Sequence, residues 1–239
     1  GTVINAGNAT IALLADENIT LGQVITTNSS TTAVTLTSTE GAIVDGGDTG
    51  GADVITTSGR LVIDAVTGVG SGAGIETTVA SVDIDNATSG NIEISETNAI
   101  TVFKAVQGTA GNIGIVSGGT ITVDNAGGNA ITVLGTGTVT LDANGGTSDI
   151  LINDGILSVN GAITLTADND VIFRADGDLA STAGAISVRA DADDGGTSSG
   201  ALTMVDGTVI NAGNATIALL ADENITLGQV TTTNSSTTA

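Results

Sequence analysis

Apolar and polar residues alternate along this chain in short, separated phrases. "ATIALLA" (9–15), "NITLG" (18–22), "AVTLTS" (33–38), "RLVIDA" (60–65) and "SVDID" (81–85) each set apolar side chains two residues apart. The rhythm returns in "NIEIS" (91–95), "AITVFK" (99–104), "GTITVD" (119–124), "AITVL" (130–134), "GTVTLD" (137–142), "DILIN" (149–153), "AITLT" (162–166) and "AISVR" (185–189). A period of two turns one set of side chains inward and the other outward, which predicts a short, half-buried strand for every phrase. Thr, Val and Ile fill these phrases, and they suit a pleated surface. Clusters of Gly, Asn, Asp and Ser lie between them and supply the turns. No helical period of useful length occurs, so the sequence predicts an all-β chain.

Spacing selects among all-β folds. Strands come in pairs, as in "TIALLADENITLG", "NIGIVSGGTITVD", "AITVLGTGTVTLD" and "AITLTADNDVIFRA". A similar phrase then returns after roughly 20 to 29 residues, the length of one solenoid coil. "GAISVRA" at Gly184, for instance, begins 23 positions after "GAITLTA" at Gly161. These periods predict a parallel β-helix, or β-solenoid, of about 9–11 coils. A β-sandwich would join its strands by two-residue Asn-Gly or Asp-Gly hairpins, and "NDG" at 153–155 stands nearly alone as a candidate. The absence of Pro agrees with strand interiors that are paired on both sides and need every N–H.

Composition narrows the reading. The 239 residues include no His, Cys, Trp, Tyr or Pro, and only two aromatics, Phe103 and Phe173. Without aromatic bulk, a core of Ile, Val, Leu and Ala suits a narrow interior with few side chains in each layer. Disorder is the alternative that a net charge of −22 raises, but 40% of residues are hydrophobic and regularly patterned. Four basic residues (Arg60, Lys104, Arg174, Arg189) against twenty-six acidic ones argue against a nucleic-acid partner or docking on anionic lipid. No apolar run reaches the length of a membrane span, so no membrane insertion is expected.

A second, longer period lies over the coils. Residues 1–33 and 207–239 are identical at thirty-two of thirty-three positions, the exception being Ile25 against Thr231. The offset of 206 residues predicts one tandem unit over 1–206, of nine or ten coils, and the start of the next over 207–239. The chain reads as a window on a longer array, each unit adding on the order of 45 Å to a rod.

Phrases such as "GAITLTADNDVIFRADGDLASTAGAISVRADADDGG" carry the rhythm G-x-I-x-L-x-A-x-x-D-I, seen at Gly161–Val171 and loosely at Asn8–Ile19. In this the chain resembles the repetitive shafts of large bacterial surface and secreted proteins of the filamentous-haemagglutinin-like class. The resemblance covers most of the chain, in a motif that marks architecture more than activity. It implies a right-handed parallel β-helix, exported and displayed outside the cell as a fibre or adhesin stalk.

Candidate chemistry is sparse. Asp83 and Asp85 project the same way from one strand, as paired carboxylates of a β-helical polysaccharide enzyme would. Asp168 and Asp170 flank a turn, but no sugar-stacking Trp or Tyr exists anywhere, and no catalytic residue is assigned. Calcium is the more substantial alternative, making the chain a Ca²⁺-binding adhesin module. "DGGDTGGAD" (45–53) and "DADDGG" (191–196) concentrate hard oxygen ligands in Gly-rich loops, which nominates Asp45, Asp48, Asp53, Asp191, Asp193 and Asp194 as metal ligands. No other cofactor is called for. Sequons at Asn8, Asn18, Asn28 and Asn86 nominate glycosylation sites, with copies at Asn214, Asn224 and Asn234. The expectation is a non-enzymatic, extracellular or cell-surface filament shaft. Its partners are neighbouring units of its own kind and a cell-surface or matrix receptor.

Overall fold

A computed structural model describes residues 2–47, 51–125, 127–193 and 199–236. Among them there is no helix, and every strand pairing is parallel, as stacked coils require and a hairpin sandwich forbids. The chain is a β-solenoid of about ten coils. Each coil crosses between two sides. One carries a ten-stranded sheet together with the pair Ile19–Leu21 and Ile43–Asp45, which the bridges Ile43–Val69 and Val69–Ile92 tie to it. The other carries a fifteen-stranded sheet.

Registry between coils builds the core. Ile11, Val34, Leu61, Val82, Val102, Val123, Ile152, Phe173 and Met204 stand one above another, all buried. Across from them runs Ile92, Ile113, Val139, Ile163 and Ile186. A one-residue slip would turn every such side chain to solvent, so the alternation seen in sequence also fixes the stacking. Each buried aliphatic side chain contributes roughly 1.5–3 kcal/mol, and only stacking completes its burial.

The cross-section reverses partway along the rod. In the first coils the fifteen-stranded side has one long strand per coil: Ile11–Ala15, Val34–Ser38, Arg60–Ala65 and Ser81–Asn86. The opposite side there has two short ones, such as Ile19–Leu21 followed by Gln23–Thr26. Ile92–Glu96 then runs straight across both short positions, pairing at Ile92 with Val69 and at Ile94 with Ile75. On the other side Ile100–Gln107 breaks into two, its start covered by Ile121–Val123 and its end by Asn129–Val133. From there the long strands, Ile113–Ser117, Val139–Ala143, Ile163–Ala167 and Ile186–Ala190, lie on the ten-stranded side.

This reversal explains where the second sequence copy falls. Ile11 lies on the fifteen-stranded side and Ile217, its counterpart, on the ten-stranded side. Among the described strands the chain crosses between sides seventeen times from one to the other, which is eight and a half coils rather than the nine or ten expected from length. The copies nevertheless fold alike. Val3 pairs with Gln23 as Val209 pairs with Gln229, and Thr26 Oγ1 donates to the Gly7 and Ala9 carbonyls as Thr232 Oγ1 donates to those of Gly213 and Ala215. Local conformation follows the sequence; the side of the rod follows the half-turn.

Candidate functional site

Two clusters of chemistry stand out on the outer surface. The first lies on the ten-stranded side. Asp45 ends the strand Ile43–Asp45, Asp53 immediately precedes Val54–Thr56 in the same coil, and Glu76 lies in Ile75–Thr78 one coil away. Because Val54 registers with Thr77, Glu76 stands directly over Asp53. One oxygen from each of the three carboxyl groups lies within 4.8 Å of the others.

Asp53 is the hinge of this group. Its backbone N–H donates to the Glu76 carbonyl (2.8 Å), and its Oδ2 accepts the Glu76 backbone N–H (3.1 Å). The residue is fully buried, yet its Oδ1 has no hydrogen-bond partner. Asp45 Oδ1 accepts the Gly47 N–H (2.8 Å) at a turn where Gly47 has φ of +74°, a conformation that glycine adopts without strain. Burial foremost, then the facing Glu76 carboxyl and the Asp45 and Glu76 charges, push Asp53 up to about 7, against the lowering effect of the Glu76 N–H.

The sequence grouped Asp45 and Asp53, which the fold brings close together, but not Glu76, whose strand belongs to another coil. Only the coil register could have found it. Asp48 and Asp194 lie outside the described residues. Asp191 is buried in a left-handed turn with φ of 57°, and Asp193 is exposed beside it. Among the described residues no third carboxylate joins those two.

The second cluster lies on the fifteen-stranded side. Asp83 and Asp85 do point outward together, and stacking brings to them cations that are remote in sequence. Arg60 approaches Asp83 at 3.9 Å from the neighbouring strand on one side, and Lys104 pairs with Asp85 from the other. Burial raises Asp83 above its usual value, although Lys104 and Arg60 oppose the shift. Arg60 also stacks over the Phe103 ring at 3.6 Å. Phe103 is the extra residue of a bulge, since Val82 registers with Val102 but Asp83 with Lys104. The bulge sits where Ile100–Gln107 must bend to divide into two shorter strands, which accounts for it structurally.

The remaining candidates serve as ties between coils. Asp168 Oδ2 accepts the Gly146 N–H (3.0 Å) and Asp170 Oδ1 the Ala201 N–H (2.8 Å), so the two carboxylates reach opposite neighbours. Asn8 and Asn18 are exposed, and Asn28 donates its amide to the Asn8 carbonyl. Asn86 runs against the glycan expectation. It is 1% exposed, and its Nδ2 donates to the Ser89 and Gly90 carbonyls and to Gln107 Oε1, so the folded coil encloses the nitrogen that a sugar would have to occupy. An Asn86→Ala chain, which strands those acceptors, is expected to lose about 2 kcal/mol in a denaturant titration.

A groove of about 340 Å³ lies near Gly72, Gly74, Glu93 and Gly114, and its carboxylate accepts the Gly72 N–H at 2.6 Å. No helix is long and apolar enough to cross a membrane. No protein-family model, curated protein or solved structure matches this chain.

Proposed function

We propose that this chain is a stretch of an extracellular filament shaft, in which long tandem units stack end to end as one solenoid. One observation carries the reading: the structure contains the repeated segment in both of its contexts. Residues 2–33 are covered on one face by Val34–Ser38, Ile43–Asp45 and Val54–Thr56. Their copy is carried on the opposite face by Leu179–Ser181, Ile186–Ala190 and Leu202–Met204. A segment sandwiched between both sets of neighbours joins one unit to the next with no new contact type. The exposed apolar side chains Ile4, Ile225, Leu227 and Val230 belong to this segment and would be shielded in such a stack, as their covered counterparts Ile210, Ile19, Leu21 and Val24 are.

The function is mechanical. Ladders of backbone hydrogen bonds and a dry aliphatic core give stiffness. Repetition gives length, and the charge of −22 keeps neighbouring rods apart. The resemblance to filamentous-haemagglutinin-like shafts supports display at a cell surface, with a receptor-binding part held at the far end. A chain with two complete units tests this by electron microscopy. Each added unit of eight and a half coils is expected to lengthen a straight rod by about 41 Å. A gold label on Ser95→Cys in each unit is expected on alternate sides of the rod, because a half-integral coil count rotates each unit by half a turn. Compact particles, or labels all on one side, would contradict the stacking.

A further inference from the structure

We propose that Asp45, Asp53 and Glu76 form a binding site for a hard divalent cation of the calcium type, which ties two successive coils together. Three carboxylate oxygens within 4.8 Å of one another match the spread of ligands about 2.4 Å from a common centre, the Ca²⁺–oxygen distance. The cluster alone would be ordinary for so acidic a chain. The independent observation is Asp53 Oδ1, which is sealed from water and has no donor although its sister oxygen holds the Glu76 N–H. A buried carboxylate oxygen without a donor carries a desolvation penalty that a cation removes. The two ion pairs among the described residues, Arg60–Asp83 and Lys104–Asp85, are both elsewhere, so no protein cation answers this need.

The choice of metal follows from the donors. All are oxygens, and no His or Cys exists in the chain to favour a transition metal. The half-exposed Asp45 and Glu76 leave room for water to fill a large, irregular coordination sphere, which calcium accepts and magnesium tolerates poorly. The ion would bridge Asp45 and Asp53 of one coil to Glu76 of the next, replacing repulsion among three carboxylates with a shared attraction. The proposal is independent of the filament reading, since a lone chain suffices to bind.

Thermal melting of the 239-residue chain in EDTA and in millimolar CaCl₂ tests it, with calcium titration calorimetry for stoichiometry. Saturating calcium is expected to raise the melting temperature by about 5 °C or more, with one tight site per chain and a smaller shift from MgCl₂. Asp53→Asn keeps the acceptor for the Glu76 N–H and supplies an NH₂ to the flanking carboxylates. It is expected to melt above the parent in EDTA and to show no calcium shift. Asp45→Asn and Glu76→Gln should weaken calcium binding at least tenfold, and they carry the test if Asp53→Asn does not fold. No calcium shift in the parent chain overturns the site. So does an undiminished shift in the Asp45 and Glu76 variants, which would mean diffuse condensation of ions on an acidic rod.

Discussion

Gly161→Ala is expected to destabilise the rod by about 3 kcal/mol or more and lower its melting temperature by about 10 °C, whereas Gly114→Ala should be neutral or slightly stabilising. Both glycines sit at regular positions of the solenoid, so composition does not distinguish them. Their surroundings do. A Cβ on Gly161 would lie 1.8 Å from the Gly137 carbonyl oxygen, while a Cβ on Gly114 meets nothing within 4 Å. Gly161 belongs to a column in which each glycine would strike the carbonyl of the glycine in the preceding coil: Gly111 on Gly90, Gly137 on Gly111, Gly161 on Gly137 and Gly184 on Gly161. The obstacle is backbone, which cannot swing away as a side chain could.

Serines lock the same corner. Ser158 Oγ accepts the Gly161 N–H and donates to the Gly137 carbonyl, and Ser181 repeats this with Gly184 and Gly161. A methyl group at 161 would push the Gly137 carbonyl out of reach of Ser158, and the loss of that buried hydrogen bond would add to the steric strain. In a solenoid each coil is held mainly by its two neighbours, so one spread corner weakens both interfaces. Parallel melts of the two variants decide the matter. Equal stabilities would show that the corner yields easily and that the glycine column is incidental.

The sequence disclosed the repeating element and hid the relations between elements. Alternation over five residues, as in Ile163–Ala167 or Val139–Ala143, is long enough to read as a strand. Val54–Thr56 reads apolar, apolar, polar and so shows no alternation, and it exists because neighbouring coils pair with it. The half-coil offset was invisible for a related reason. Ile92–Glu96 follows Ser81–Asn86 with the same alternation as any other pair, and nothing local says that it has become the long side of the coil.

Site chemistry obeyed the same limit. Asp45 and Asp53 were legible because one loop joins them. Glu76 meets them through the register of Val54 with Thr77, a property of two coils. Arg60 and Lys104 likewise reach Asp83 and Asp85 only across strands. In a structure whose contacts are nearly all between coils, single-strand patterns give the alphabet and stacking gives the sites.

Acidification should stabilise this protein, with the melting temperature rising by several degrees from pH 8 to pH 5. Asp53, pushed up to about 7, is one contributor, and another is Glu96, which is 4% exposed. Its Oε2 accepts Thr77 Oγ1–H (2.8 Å) and the Val79 N–H (3.0 Å), and its Oε1 accepts the Asn98 N–H (3.1 Å). Those bonds favour the charged form, but burial outweighs them and holds the carboxyl above its ordinary value. Asp142 is raised too, by burial first and then by the Asp168 charge, and Asp83 is raised by burial. A carboxyl raised in the folded state binds its proton more tightly there than in the unfolded chain. Its stabilising contribution is complete below the unfolded value and is lost as pH climbs through the folded one. For Glu96 that window opens at its ordinary 4.5 and for the two aspartates at 3.8, so stability falls from mildly acidic toward neutral pH. Relief of the −22 net charge acts in the same direction. Melts in EDTA on the Asp53→Asn chain isolate Glu96, Asp142 and Asp83 from the cation cluster, and pH 5 stays clear of the isoelectric point near 4.1. Glu96→Gln should flatten the pH profile while lowering stability throughout, because its NH₂ must face N–H and O–H donors that the carboxylate accepted. A melting temperature that instead climbs from pH 5 to pH 8 would mean that the hydrogen bonds to Glu96 outweigh its burial.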